Sequence, residues 1–127
     1  MKIITKEKAR NYSPLTLAFF GDSVYEVLVR GRIILNGSMP SRKLHSDAAE
    51  KARAAYQANA AGLIKPLLTE EEADILRRGR NANPRVPKSA EPEDYRRATG
   101  LEALFGYLAL IGEFERAEEL FGVICGE

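Results

Sequence analysis

Leu17-Ala18-Phe19-Phe20-Gly21-Asp22-Ser23-Val24-Tyr25-Glu26 places one acid inside an otherwise apolar run. The run reads as a single helix from about Pro14 to about Leu35, with Ser13 as N-cap and Pro14 at the first helical position. Residues three and four apart on a helix are neighbours, so Asp22 shares a row with Ala18, Phe19 and Glu26. Ala18 and Phe19 are core-type residues, and an unpaired carboxylate among them is strongly disfavoured. The helix is therefore expected to be central and buried, with Asp22 as a misfit that needs a partner.

A second misfit lies far along the chain, in Ala98-Thr99-Gly100-Leu101-Glu102-Ala103-Leu104-Phe105-Gly106-Tyr107-Leu108. Glu102 interrupts an apolar helix whose neighbouring residues, Ala98, Thr99 and Gly106, are small. Small residues let two helices approach closely. Packing the two helices together would bring both carboxylates to one point, and a hard divalent cation such as Mg²⁺ makes such a pair tolerable.

The rest of the chain reads as further helices. Residues 1–12 carry Lys2, Lys6, Lys8 and Arg10 and read as a loose arm. Ser41 is placed to cap a second helix with a stripe of Leu44, Ala48, Ala52, Ala55 and Ala58, interrupted at Gly62 and Pro66. Thr69 with Glu72 forms a capping box that opens a third helix, roughly Glu70 to Gly79. Gly79 to about Ser89 is a loop with two prolines, carrying Arg80, Arg85 and Lys88. A fourth helix runs from Pro92 to about Ile111, and a last one from about Glu115 to Ile124. No strand-like alternation persists, so the expected fold is all-α, one domain over residues 1–127 with the Asp22 and Glu102 helices at its centre.

Composition narrows the chemistry. A 45% apolar and 29% charged chain is ordinary for a soluble globular protein, and a net charge of +1 provides no global attraction for nucleic acid. Any basic surface must be local. The lone Cys125 excludes an internal disulfide framework and a cysteine metal cluster, and fits a reducing cytoplasm. No signal-peptide core and no uncharged stretch of bilayer length is present, so no membrane role is expected. The only histidine, His45, has no nucleophile signature beside it and reads as a surface residue.

Phe20-Gly21-Asp22-Ser23-Val24 within an apolar helix resembles the signature helix of ribonuclease III catalytic domains, and Glu102-Ala103-Leu104 resembles their second catalytic helix. More specifically, the chain is similar to the Mini-ribonuclease III family, whose members carry the nuclease domain without an attached double-stranded-RNA-binding domain. The matching stretches are Leu17 to Glu26, Arg77-Arg78-Gly79-Arg80-Asn81-Ala82, and Tyr95-Arg96 through Thr99 to Gly106-Tyr107-Leu108, in agreeing order and spacing. The resemblance implies the ribonuclease III helical bundle, a homodimer, and Mg²⁺-dependent cleavage of double-stranded RNA, with Mn²⁺ as a substitute. It also implies a role in maturing the large-subunit ribosomal RNA precursor. Larger ribonuclease III enzymes have more acids, and at two of those positions this chain has Ala18 and Thr99.

On that reading Asp22 and Glu102 are the catalytic metal ligands, with Asp22 leading. Arg78, Arg80, Asn81, Arg85, Lys88 and Arg96 are the candidate RNA contacts, because A-form RNA is held mainly through phosphates and 2′-hydroxyls. Glu26 reads first as a structural ion-pair partner, with assistance to the metal site from one turn away as the alternative. Phe19, Phe20, Tyr25 and Phe105 read as core or dimer-interface residues. Two other functions compete: a ribosome-associated RNA-binding module of the same fold that lacks catalysis, and a helical scaffold with no RNA role. The module would bind RNA without metal-dependent cleavage, and the scaffold would have no salt-dependent RNA affinity.

Overall fold

The computed structural model describes residues 1–127, which form seven α-helices and no strand. They are α1 (Lys6–Arg10), α2 (Pro14–Ile34), α3 (Ser41–Ala52), α4 (Ala54–Ile64), α5 (Glu70–Arg80), α6 (Pro92–Leu110) and α7 (Phe114–Ile124). A short 3-10 turn, Lys65–Leu67, links α4 to α5. The all-α expectation holds, and the helix boundaries agree within a residue for α2, α5, α6 and α7.

α6 is the axis of the fold. From Ala98 to Ala109 every residue except Glu102 is buried, and α2, α4 and α5 pack around it. The α2–α6 crossing depends on two glycines. A Cβ on Gly21 would collide with the carbonyl oxygen of Glu102 and stand 2.9 Å from the Gly106 nitrogen. A Cβ on Gly106 would collide with the Leu17 carbonyl oxygen. The two backbones therefore touch, as the small residues predicted, and this contact sets the spacing of Asp22 and Glu102.

Aromatic packing continues the core along the same pair. Tyr25 is fully buried, stacked on Phe105 at 6.0 Å and edge-on to Phe121 at 5.9 Å. Its hydroxyl donates to the Lys51 carbonyl oxygen at 2.7 Å, tying α2 to the end of α3. Burial, helped by nearby Tyr56, pushes that phenol well above its ordinary range, so it stays a neutral donor.

The capping box forms as expected. Thr69 Oγ1 accepts from the Glu72 amide at 3.2 Å, and Glu72 Oε1 accepts from the Thr69 amide at 2.9 Å. Glu72 is also buried against Arg116, whose guanidinium donates to both carboxylate oxygens at 2.9 Å and clamps α7 onto α5. Burial alone would raise the Glu72 pKa. The Arg116 and Thr69 hydrogen bonds outweigh it and hold the carboxyl below its usual range.

Four expectations need correction. The N-terminal arm is docked rather than loose: Thr5 caps α1, Ala9 is fully buried, and the Ile4 amide donates to the Leu110 carbonyl oxygen at 2.9 Å. The second helix is two helices. Arg53, at φ −64° and ψ 143°, is extended and separates α3 from α4. The register shifts at that break, so Ala55 is exposed while Gln57, Ala58, Ala60, Ala61 and Ile64 face inward. Ser41 is the first helical residue instead of the cap, and Pro40 occupies the cap position with no side-chain hydrogen bond. Finally, Phe19 is 82% exposed and Asp22 is exposed. α2 is apolar on nearly all sides, but only the face of Leu17, Ala18, Gly21, Val24, Tyr25, Leu28, Val29 and Ile33 is buried in this chain's own core.

Candidate active site

Asp22 and Glu102 meet in a cleft of about 500 Å³. α2 supplies Leu15, Ala18, Phe19, Asp22 and Ser23 to it, and α6 supplies Tyr95, Ala98, Thr99 and Glu102. The α3–α4 break contributes Ala52, Ala54 and Gln57, and Pro84 reaches in from the loop before α6. Because Gly21 and Gly106 let α2 and α6 touch, two acids distant in sequence come within hydrogen-bonding reach of each other.

The two carboxyls occupy unlike environments. Asp22 faces solvent, whereas Glu102 is mostly enclosed. Burial, and then the hydrogen bond and charge of Asp22, push the Glu102 carboxyl up to about 8. The nearby Gln57 amide opposes that rise. Near neutral pH, with no cation bound, Glu102 therefore keeps its proton. Ala18 and Thr99 line the same cleft; the Thr99 hydroxyl donates back to the Tyr95 carbonyl oxygen at 2.9 Å.

The donor set suits a hard divalent cation. It offers two carboxyls from facing helices, one of them raised by burial and by its acidic neighbour. It also contains a buried amide oxygen, Gln57 Oε1, with no partner in the protein. No third His, Cys, Asp or Glu joins the two acids. Water and a substrate phosphate would fill the remaining positions, as Mg²⁺ readily accepts. Glu26, one turn from Asp22, is occupied by Arg30 at 2.7 Å. His45 lies elsewhere, in a shallow hollow with Arg30, Ile33 and Leu44.

The basic candidates divide into two groups. Arg85 and Lys88 are exposed and make no ion pair or hydrogen bond, and they flank the loop whose Pro84 borders the cleft. Asn83 takes φ 53°, a left-handed conformation that Asn tolerates, immediately before Pro84. Asn81 ends α5 with its side chain exposed. The other three are engaged. Arg78 donates to the Tyr12 carbonyl oxygen at 3.4 Å, Arg80 donates to Glu93 at 2.6 Å, and Arg96 lies 3.8 Å from Glu93. Glu93, also bonded by Arg97, is held below the usual carboxylate range chiefly by Arg80.

Gln57, Tyr95 and Pro84 join the site although the sequence does not mark them as site residues. Only Gln57 carries a readable signal: a large polar residue in an alanine-rich stretch, Ala54-Ala55-Tyr56-Gln57-Ala58-Asn59-Ala60-Ala61.

Comparison with known proteins places this cleft in context. The ribonuclease III domain family model matches residues 15–113, which include both acids. A Mini-ribonuclease 3 from Thermoanaerobacter is 45% identical over 120 residues, covering 94% of this chain and 84% of the relative. A Mini-ribonuclease 3 from Symbiobacterium thermophilum is 46% identical over 108 residues, covering 84% of this chain and 83% of the relative. The crystal structure of a Fusobacterium nucleatum protein superposes with a TM-score of 0.84 at 30% identity, covering 93% of this chain and 97% of that one.

Proposed function

The chain belongs to the ribonuclease III domain family and is an endoribonuclease of that type, and from this premise we propose that it cuts double-stranded RNA with Mg²⁺ held by Asp22 and Glu102. The observation that carries the proposal is the convergence of these two carboxyls in one cleft through the Gly21–Gly106 backbone contact. Incubating the protein with a duplex RNA, with Mg²⁺ and then with chelator, tests it: cleavage should require the metal and spare single strands.

A bound Mg²⁺ ion supplies a water of lowered pKa, neutralises the phosphoryl oxygens and stabilises the leaving oxygen. The protein's own groups do the rest. Asp22, open to solvent, accepts a hydrogen bond from the attacking water and orients it. Glu102, once deprotonated, would be the second residue to hold the ion. Ala18 and Thr99 keep that side of the cleft free of further charge.

Arg85 and Lys88 are the two candidate cations left free to meet phosphates beside the cleft. Replacing both with Ala should weaken duplex binding and reduce the slope of log affinity against log salt by roughly 1 per residue. An unchanged slope removes the loop from the RNA surface. Arg80 and Arg96 would first have to leave Glu93, so their replacement should weaken binding less.

Cutting both strands of a duplex needs two sites, and a two-fold dimer provides them. Support comes from the outward stripe of α2. Leu15 and Phe19, one turn apart beside Asp22, are 40% and 82% exposed. Phe19→Asp should raise the dimer dissociation constant on the order of a hundredfold, since a central aromatic contact is worth about 3 kcal/mol. Sedimentation velocity reads this directly; a parent protein that is monomeric at micromolar concentration rejects the dimer.

The finer assignment, a duplex in the large-subunit ribosomal RNA precursor, extends the likeness to the Mini-ribonuclease 3 relatives. A precursor stem left intact while unrelated duplexes are cut would remove it. No helix is long and apolar enough to cross a membrane.

A further inference from the structure

Gln57 places an unsatisfied oxygen at the Asp22–Glu102 cleft. The residue is 4% exposed and lines the cleft, yet its Oε1 has no hydrogen-bond partner in the protein. Its Nε2 donates to the Ala52 carbonyl oxygen at 3.0 Å. That carbonyl lacks a helical partner because α3 stops where Arg53 turns extended. The bond also fixes which way the amide faces, since the flipped amide would set oxygen against oxygen. Leaving a buried acceptor unpaired is destabilising, and an apolar side chain of similar size would avoid that cost.

We propose that Gln57 is a positioning residue whose Oε1 accepts a hydrogen bond from a water carried by the divalent ion at Asp22 and Glu102. This rests on the metal reading given above. An amide suits the position because it accepts a hydrogen bond without adding a third negative charge to two crowded carboxyls. The break at Arg53 then has a function: it exposes the carbonyl that aims the amide.

Mn²⁺ titration followed by electron paramagnetic resonance tests the proposal without any turnover measurement, alongside melting of the metal-free proteins. Gln57→Leu should bind Mn²⁺ about 10- to 100-fold more weakly than the parent, as loss of groups supporting metal ligands typically does. Gln57→Met, close in volume but without an amide oxygen, should show the same loss. A Gln57→Leu protein that binds like the parent overturns the proposal, even if its metal-free melting temperature falls, because that pattern marks a purely structural side chain. Parent-like binding by Gln57→Met overturns it too, and this variant decides the matter if Gln57→Leu does not fold. Asp22→Asn separates the two readings. If it binds Mn²⁺ like the parent, the metal assignment falls and takes Gln57 with it; if it loses binding while Gln57→Leu does not, only the role of Gln57 falls.

Discussion

Replacing Asp22 with Asn is expected to slow duplex RNA cleavage by several hundredfold to about a thousandfold while leaving the fold intact. The magnitude follows from the chemistry: a catalytic metal contributes several kcal/mol to transition-state stabilisation, and each 1.36 kcal/mol is tenfold in rate. Asn keeps the shape of Asp22 but cannot supply the charge. The side chain is exposed and carries no structural ion pair, so stability should change little. A folded variant that cuts at the parent rate sinks the assignment.

The same pair predicts a pH dependence. Glu102 has its carboxyl raised from 4.5 to about 8 in the fold, by burial and then by Asp22. As pH climbs through that window, the unfolded chain has lost this proton and the folded chain still holds it. The folded state binds more protons, so stability of the metal-free protein falls with rising pH, on the order of a few kcal/mol across the window. Glu102→Gln should flatten that trend, and Asp22→Asn should lessen it by removing the neighbouring charge. A cation competes with the Glu102 proton, so at limiting Mg²⁺ cleavage should strengthen as pH approaches 8. Melting curves from about pH 5 to about pH 9 with and without Mg²⁺ check the stability trend, and cleavage rates over the same range check the metal competition.

Gly106→Ala is the substitution expected to damage the fold most. The added methyl would overlap the Leu17 carbonyl oxygen and crowd the Gly21 nitrogen at 2.9 Å, and both belong to backbone that cannot rotate away. The α2–α6 crossing must widen, unpacking Tyr25 from Phe105 and parting Asp22 from Glu102. A loss of about 4 kcal/mol or more is expected, lowering the melting temperature by roughly 15 °C. Gly31→Ala is the control: it lies in the same helix as Gly21 with nothing within 4 Å of the new methyl, and should stabilise by roughly 0.5 to 1 kcal/mol. Equal melting temperatures for the two variants would mean the helices do not touch at Gly106.

Much of this protein is legible in its sequence because the signals are local. Ser13-Pro14 starts α2 and Thr69 with Glu72 starts α5, each through hydrogen bonds or ring geometry within a few residues. The two acids stand out because each interrupts an apolar helix. The small residues around them announce a close crossing, and Gly21 with Gly106 makes it.

What the tertiary structure alone decided is which side of each helix faces what. α2 is apolar almost all round, so no periodicity could say that Phe19 points outward with Asp22 while Tyr25 points in; that depends on where α6 lies. The break at Arg53 is invisible in the sequence because alanine-rich segments on both sides favour one helix, and the resulting turn places Gln57 in the cleft. The basic residues around the loop look alike in sequence, but Glu93 takes up Arg80 and Arg96, Tyr12 receives Arg78, and of these candidates Arg85 and Lys88 stay free of partners. Propensity and capping act over one or two turns and are written in consecutive residues. Burial, pairing and the pKa of Glu102 arise from groups that meet only once the helices have packed.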